Sequence, residues 1–239
     1  MLASAALAAD GFAVLGPVDG VEHATALLGR LGVLVGQYDG NLTHEVTYRP
    51  GNEGRAYSQS VNTIRAHTEA PGWRPSPKYL ALYCHRQARC GGGDTDLLDV
   101  ETLLPRLTDA ERTLLTGAEL DFPGPAHATG GAGPVRGPML SGRASEPRVL
   151  RFSYNLLTTG EYDPPLDSRP GPARLPLGAA GAVLAARVSE LFAEHRLSVL
   201  IPEHAVLVWD NRRMLHARSR YTDTQRHLTH FFLNERGVA

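Results

Sequence analysis

Cysteine is scarce: the 239-residue chain has two, Cys84 and Cys90. Two thiols six residues apart make neither a disulfide framework nor a zinc knuckle, and they read as reduced thiols of a cytoplasmic protein. An excess of charge of either sign is also lacking. The 24 basic residues, all arginine except Lys78, balance 25 acidic ones to a formal net charge of −1. That leaves no electrostatic footprint for nucleic acid or an anionic membrane. No run nears the roughly 18 apolar residues of a membrane span. The opening MLASAALAAD has the small residues of a secretory signal but neither its basic start nor its apolar length. What is present is ordinary for a soluble globular protein, with 42% hydrophobic residues. The length fits one domain, 1–239, and the partner expected is a small molecule.

Periodicity sorts the chain into strands with a few helices. Residues 11–15 (GFAVL) read as a short strand, and 21–31 as a helix with Ala24, Leu27, Leu28 and Leu31 on one side and Gly32 as its cap. Residues 41–63 read as loops and short strands around a pocket entrance, and 64–69 as a strand. The run YLALYC at 79–84 is a strand apolar on both faces; after the loop CGGGDT comes another at 96–100. Residues 101–115 read as one helix despite Pro105. Residues 122–147, rich in Gly, Pro and Ala, read as a long loop, 149–154 as a strand, and 163–176 as a second, Pro-rich loop. Loops of that length in a compact domain are commonly lids. Residues 179–196 carry the clearest helical stripe, Leu184, Val188, Leu191, Phe192 and His195. Apolar runs at 197–201, 205–209 and 228–233 complete the strands. This order suits a mainly β sandwich or barrel with flanking helices better than a doubly wound βαβ fold.

His67-Thr68-Glu69 places an imidazole and a carboxylate two residues apart, so on a strand both point to one face. The tripeptide alone says little. Ten histidines among 239 residues with 25 acids make about one such match by accident, and a strand-edge ion pair reads equally well. His216 changes the weight. Two histidines and one carboxylate form the facial triad that holds non-haem iron and leaves three positions open. Ten residues later Arg226 precedes an apolar strand, from which a guanidinium could clamp a carboxylate with two hydrogen bonds. Thr95 could add a hydroxyl. His227 and His230 fall on opposite faces of that strand, and only His230 shares the face of Arg226. Tyr57, Ser58, Arg151 and Tyr154 are further candidate substrate-binding residues.

His67-Thr68-Glu69, the turn Gly92-Gly93-Asp94-Thr95, Trp209-Asp210-Asn211-Arg212 leading to His216, and Arg226 carry a family likeness. In order and spacing the chain resembles the taurine dioxygenase-like and clavaminate synthase-like iron(II)/2-oxoglutarate oxygenases, over roughly residues 64–233. The resemblance implies a double-stranded β-helix, a jelly-roll core of cupin type. It implies iron(II) on His67, Glu69 and His216, with the distal carboxylate of 2-oxoglutarate on Thr95 and Arg226. O2 would be the oxidant, succinate and CO2 the coproducts, and hydroxylation of an unactivated C–H bond the default outcome. Glu69 in place of the commoner Asp is similar to the clavaminate synthase and amino-acid hydroxylase branch, and its presence argues against halogenation. His230 stands where taurine dioxygenase has a second arginine, which argues against a sulfonate substrate. Two other classes stay open on the residues alone. One is a non-oxidative, zinc-type enzyme on a related jelly roll; the other is a catalytically silent binding protein.

Overall fold

The computed structural model describes residues 2–55, 57–131, 133–142 and 148–237. The helix Leu2–Asp10 (α1) leads into strand Phe12–Leu15 (β1), helix Gly20–Leu28 (α2) and strands Val33–Val35 (β2), Thr43–Thr47 (β3) and Ile64–His67 (β4). Strands Tyr79–Arg86 (β5) and Thr95–Asp99 (β6) follow, then helices Val100–Leu103 (α3) and Asp109–Gly117 (α4). Next come Glu119–Phe122 (β7), Ala126–Thr129 (α5), Val135–Pro138 (β8), Leu140–Ser141 (β9), Val149–Leu150 (β10) and Tyr154–Thr159 (α6). The chain ends with Gly178–His195 (α7), Leu197–Val199 (β11), Val206–Asp210 (β12), Met214–Arg218 (β13) and His227–Asn234 (β14). Among the described residues no helix is long and apolar enough to cross a membrane.

Two antiparallel sheets face each other. The major one runs β1-β12-β5-β14-β2, with β3 also paired to β14; the minor one runs β11-β6-β13-β4. Their inner faces meet through Leu80, Leu82, Leu97, Leu207, Trp209, Leu228 and Phe232. The outer face of the major sheet buries Ala81, Tyr83, Val206 and Val208 against Leu7, Ala24 and Leu28 of α1 and α2. The outer face of the minor sheet buries Leu98 and Leu215 against Leu103, Leu115, Leu184, Val188 and Leu191. Strands covered on both faces need no polar alternation, which is why YLALYC and VLVWD read as continuous apolar runs. The arrangement is the double-stranded β-helix that the sequence resemblance implies.

Several elements differ from the sequence expectation. The helix expected over 101–115 breaks into α3, a tight turn at Leu104–Arg106 and α4. Pro105 cannot supply the N–H a continuous helix needs, and Thr108 with Glu111 forms a capping box that starts α4 afresh. Residues 122–142 are not a free loop: β7 pairs β8 and β9 pairs β10, and Val135, Met139 and Leu140 are buried in the core. Ala132 and residues 143–147 of that expected lid lie outside the described residues. The strand expected at 149–154 is two residues long, and Ser153 then caps α6 by accepting from Leu156 N.

Candidate active site

The inner faces of both sheets enclose a cavity of about 450 Å3, within the size range of small-molecule sites. His67 ends β4 and His216 sits in β13 as its direct register partner, so the pairing sets the two imidazoles side by side, ring centroids 4.0 Å apart. Glu69 lies beyond the end of β4, before Ala70 at φ +49, so strand alternation alone does not aim it. A side-chain clamp does. Asn211 Oδ1 accepts from Glu69 N at 2.7 Å, while Asn211 Nδ2 donates to Glu69 O and Pro77 O, each at 3.0 Å. Glu69 Oε2 then stands 3.6 Å from His67 Nε2 and 4.0 Å from His216 Nε2, and Tyr38 donates to Oε1 at 2.7 Å.

These three side chains fit a metal ion. Their ligand atoms lie within 4.8 Å of one another, close to the separation of about 3 Å that neighbouring ligands of a transition metal adopt; small side-chain rotations close the difference. Arg65 O at 2.8 Å takes the Nδ1 proton of His67, which leaves Nε2 as the lone-pair donor. His216 Nδ1 is buried without a partner. Burial opposes charge on Glu69, yet the hydrogen bond and charge of His67, with His230 and His216, hold its carboxyl well below the usual range. Burial would lower His67 too, but Glu69 raises it overall. His216 goes the other way, pushed well down by burial and by the His67 charge. The carboxylate is therefore ionised and one imidazole neutral before any ion arrives.

Arg226 and Thr95 are buried and line the same cavity. Arg226 Nε donates to Gly93 O at 3.1 Å, while its Nη1 is buried with no partner. An unpartnered guanidinium nitrogen in such a place is costly unless an anion completes it. Gly93 has φ +84, and a Cβ there would come within 3.0 Å of the Arg226 side chain; the GGGDT turn is thus the backbone cradle of this arginine. Ser219 Oγ holds the turn, accepting from Gly93 N and Asp94 N at 3.0 Å.

Tyr57, Ser58 and His230 also line the cavity, the last with its imidazole pushed down to about 4 by burial. Arg151 and Tyr154 do not line it, contrary to the sequence expectation. Arg151 donates to Pro71 O at 3.1 Å, and Tyr154 packs on the outer core beneath the Arg65 guanidinium. Their neighbours Ser153 and Asn155 line the cavity instead, at the turn where the chain leaves β10 and enters α6. Residues 122–147 contribute no lining among the described residues, whereas Asp163 of the second expected lid does. Arg218 was not anticipated. Two residues after His216 on one strand, it shares the inner face, and its guanidinium donates to the carbonyls of Tyr57, Ser58, Ser60 and Asn62 at 2.6–3.2 Å. It pins the loop that presents Tyr57 and Ser58. Burial and the nearby Arg226 lower it to about 9, and both cations lie over the Tyr221 ring at 5.1 and 5.2 Å.

Comparison with solved structures agrees with this architecture. An asparagine oxygenase in complex with Fe(II), 3-hydroxyasparagine and succinate superposes with TM-score 0.71 at 20% identity, covering 94% of this chain and 74% of that one. The non-haem iron oxygenase OrfP with Fe and alpha-ketoglutaric acid gives TM-score 0.61 at 19% identity, covering 88% of this chain and 62% of that one; this chain therefore spans under two thirds of that structure. OrfP with Fe, succinate and dihydroxyarginine gives 0.64 at 19%, covering 98% and 79%. No curated protein sequence matches. Over residues 3–231 the sequence matches the family described as Taurine catabolism dioxygenase TauD, TfdA, and the chain belongs to that dioxygenase family.

Proposed function

We propose that this protein is an iron(II)- and 2-oxoglutarate-dependent oxygenase that hydroxylates an unactivated C–H bond of an amino-acid-like or specialised-metabolite small molecule. The observation that carries the reading is the convergence of His67, Glu69 and His216 in a cavity whose wall also holds the unpartnered guanidinium nitrogen of Arg226. A zinc-type hydrolase on the same ligands would leave that nitrogen without an anion to bind.

Bound iron(II) would activate O2, the oxidant, with 2-oxoglutarate as the reducing cosubstrate: one oxygen atom would end in succinate as the keto acid loses CO2, the other in the hydroxylated C–H bond. The chain positions the reactants and excludes water. His67, Glu69 and His216 would hold iron on one side, leaving three positions for the keto acid and O2. Arg226 Nη1 and the Thr95 hydroxyl would donate to the distal carboxylate of 2-oxoglutarate, fixing its register in the cavity. Val46, Ile64, Leu82 and Trp209 give the cavity apolar walls that keep bulk water from the reacting centre. Tyr57, Ser58 and His230 would contact the substrate. Residues 163–176, whose Asp163 reaches the cavity, would serve as its lid.

An amino-acid-like substrate is supported by the opposite charges of Arg65 and Asp163 on the cavity wall, which suit a zwitterion. The compared structures contain hydroxylated asparagine and hydroxylated arginine. Anaerobic addition of iron(II) and 2-oxoglutarate to the purified protein tests the reading: a visible metal-to-ligand charge-transfer band is expected. No band, together with no succinate formed in air, would overturn it. Substrate-stimulated succinate release across amino acids and biosynthetic intermediates then identifies the substrate class.

A further inference from the structure

On the opposite face of the major sheet from the cavity, three strands display a second set of metal-binding groups. β3 offers Glu45, β5 His85 and β14 His227, with one ligand atom of each within 4.8 Å of the others. Strand alternation separates this cluster from the active site. His44, Val46, Arg226 and His230 face the cavity, whereas Glu45, His227 and Thr229, displaced by one residue, face the other way.

A bulge builds the cluster. Cys84 pairs with Leu228 and Arg86 with His227, with a register shift between them, so His85 is the extra residue of β5. Bulges re-aim side chains, and here the His85 ring comes to lie on that of His227, centroids 4.1 Å apart and planes at 12°. Thr229 Oγ1 donates to Glu45 Oε1 at 3.1 Å and bonds His85 Nε2 at 2.7 Å, and His227 Nε2 meets Glu45 Oε2. Glu45 and His227 keep about two fifths of their side-chain surface exposed, at 41% and 40%, so an ion can enter from solvent.

We propose that Glu45, His85 and His227 form a second divalent-metal site that takes a borderline ion of the zinc class. Two imidazoles and one carboxylate on three neighbouring strands make the mixed N/O donor set such ions prefer, with a position left for water. The cluster's present hydrogen bonds hold the ligands together; to bind an ion, one imidazole would turn out of the stack, since the lone pairs of near-parallel rings do not converge, and the ion would replace the hydrogen bonds. It would tie β3, β14 and β5 on the back of the strand that carries His230 and begins just after Arg226, and so stiffen one wall of the cavity. The proposal does not depend on the iron reading.

The test is calorimetric titration of zinc into the full-length His67→Ala/His216→Ala protein, whose triad is broken. One equivalent is expected to bind, and adding His85→Ala is expected to weaken it by about tenfold or more. Glu45→Gln, near-isosteric and able to keep the bond from Thr229, covers the case in which His85→Ala unfolds, with circular dichroism reporting the fold; it too should weaken zinc. No uptake by the double variant, or uptake unchanged by the cluster substitutions in folded protein, overturns the site.

Discussion

His67 and His216 are direct partners across the β4–β13 pairing, and the ladder itself, not a loop, sets their imidazoles 4.0 Å apart. Side chains on paired strands are preorganised, because moving their Cα atoms apart means breaking sheet hydrogen bonds. His216→Ala should therefore abolish the charge-transfer band with iron(II) and 2-oxoglutarate and stop succinate formation, while the far-ultraviolet circular dichroism stays that of the parent. A band that survives would remove His216 from the ligand set.

Asn211 would position Glu69, the third of the proposed ligands. It is buried and satisfies Glu69 N, Glu69 O and Pro77 O at once. Asn211→Ala leaves these groups unpaired, at about 1–3 kcal/mol of stability, and frees the Glu69 backbone beyond the strand end. Iron affinity should fall by about 10–100-fold in protein that is still folded at the assay temperature. Asn211→Asp keeps the acceptor for Glu69 N but sets a carboxylate oxygen, which cannot donate, against Glu69 O and Pro77 O, so it should not restore iron affinity. A lowered melting temperature with unchanged iron affinity would make Asn211 structural only.

The site was largely legible because His67 and His216 sit on paired strands and Glu69 follows His67 by two residues. His67, Glu69, His216, Thr95, Arg226, Tyr57, Ser58 and His230 all line one cavity. Arg218 was legible in principle, two residues after His216 on the same strand. Tyr38 carried no local signal: it reaches Glu69 from the far sheet, 31 residues earlier. Arg151 and Tyr154 misled because a strand was expected to run through 154, whereas Ser153 had the chemistry of a helix cap. The fold was legible where apolar runs marked doubly covered strands. It was not legible over 122–142, where short paired strands are too brief to show a period.

Arg226 combines one backbone bond, Nε to Gly93 O, with a buried, unpartnered Nη1. Lysine cannot reproduce that fork. Arg226→Lys should raise the 2-oxoglutarate concentration needed for half the charge-transfer band by about 10–100-fold, the worth of one charge-assisted hydrogen bond. Iron affinity measured without 2-oxoglutarate should not change. An unaltered 2-oxoglutarate titration would mean that another group holds the keto acid.

The ionisation states of the triad set how iron binding responds to pH. Metal binding requires neutral imidazoles and an ionised carboxylate. Glu69 is held well below the usual carboxyl range by His67, and His216 well below the usual imidazole range by burial, so neither has a proton to release near neutrality. His67 alone is raised above the ordinary imidazole value of 6.5, through Glu69. As pH falls through the raised His67 value, its ring is protonated in the metal-free protein, and the ion must displace that proton. Apparent iron(II) affinity should therefore be flat at high pH and drop by roughly tenfold per pH unit once below that value. Anaerobic titrations from about pH 8 to about pH 6 measure the slope. One proton per ion is expected; a slope of two would mean that His216 is also charged in the free protein, and no slope would mean that the His67–Glu69 pair is not the resting state of the site.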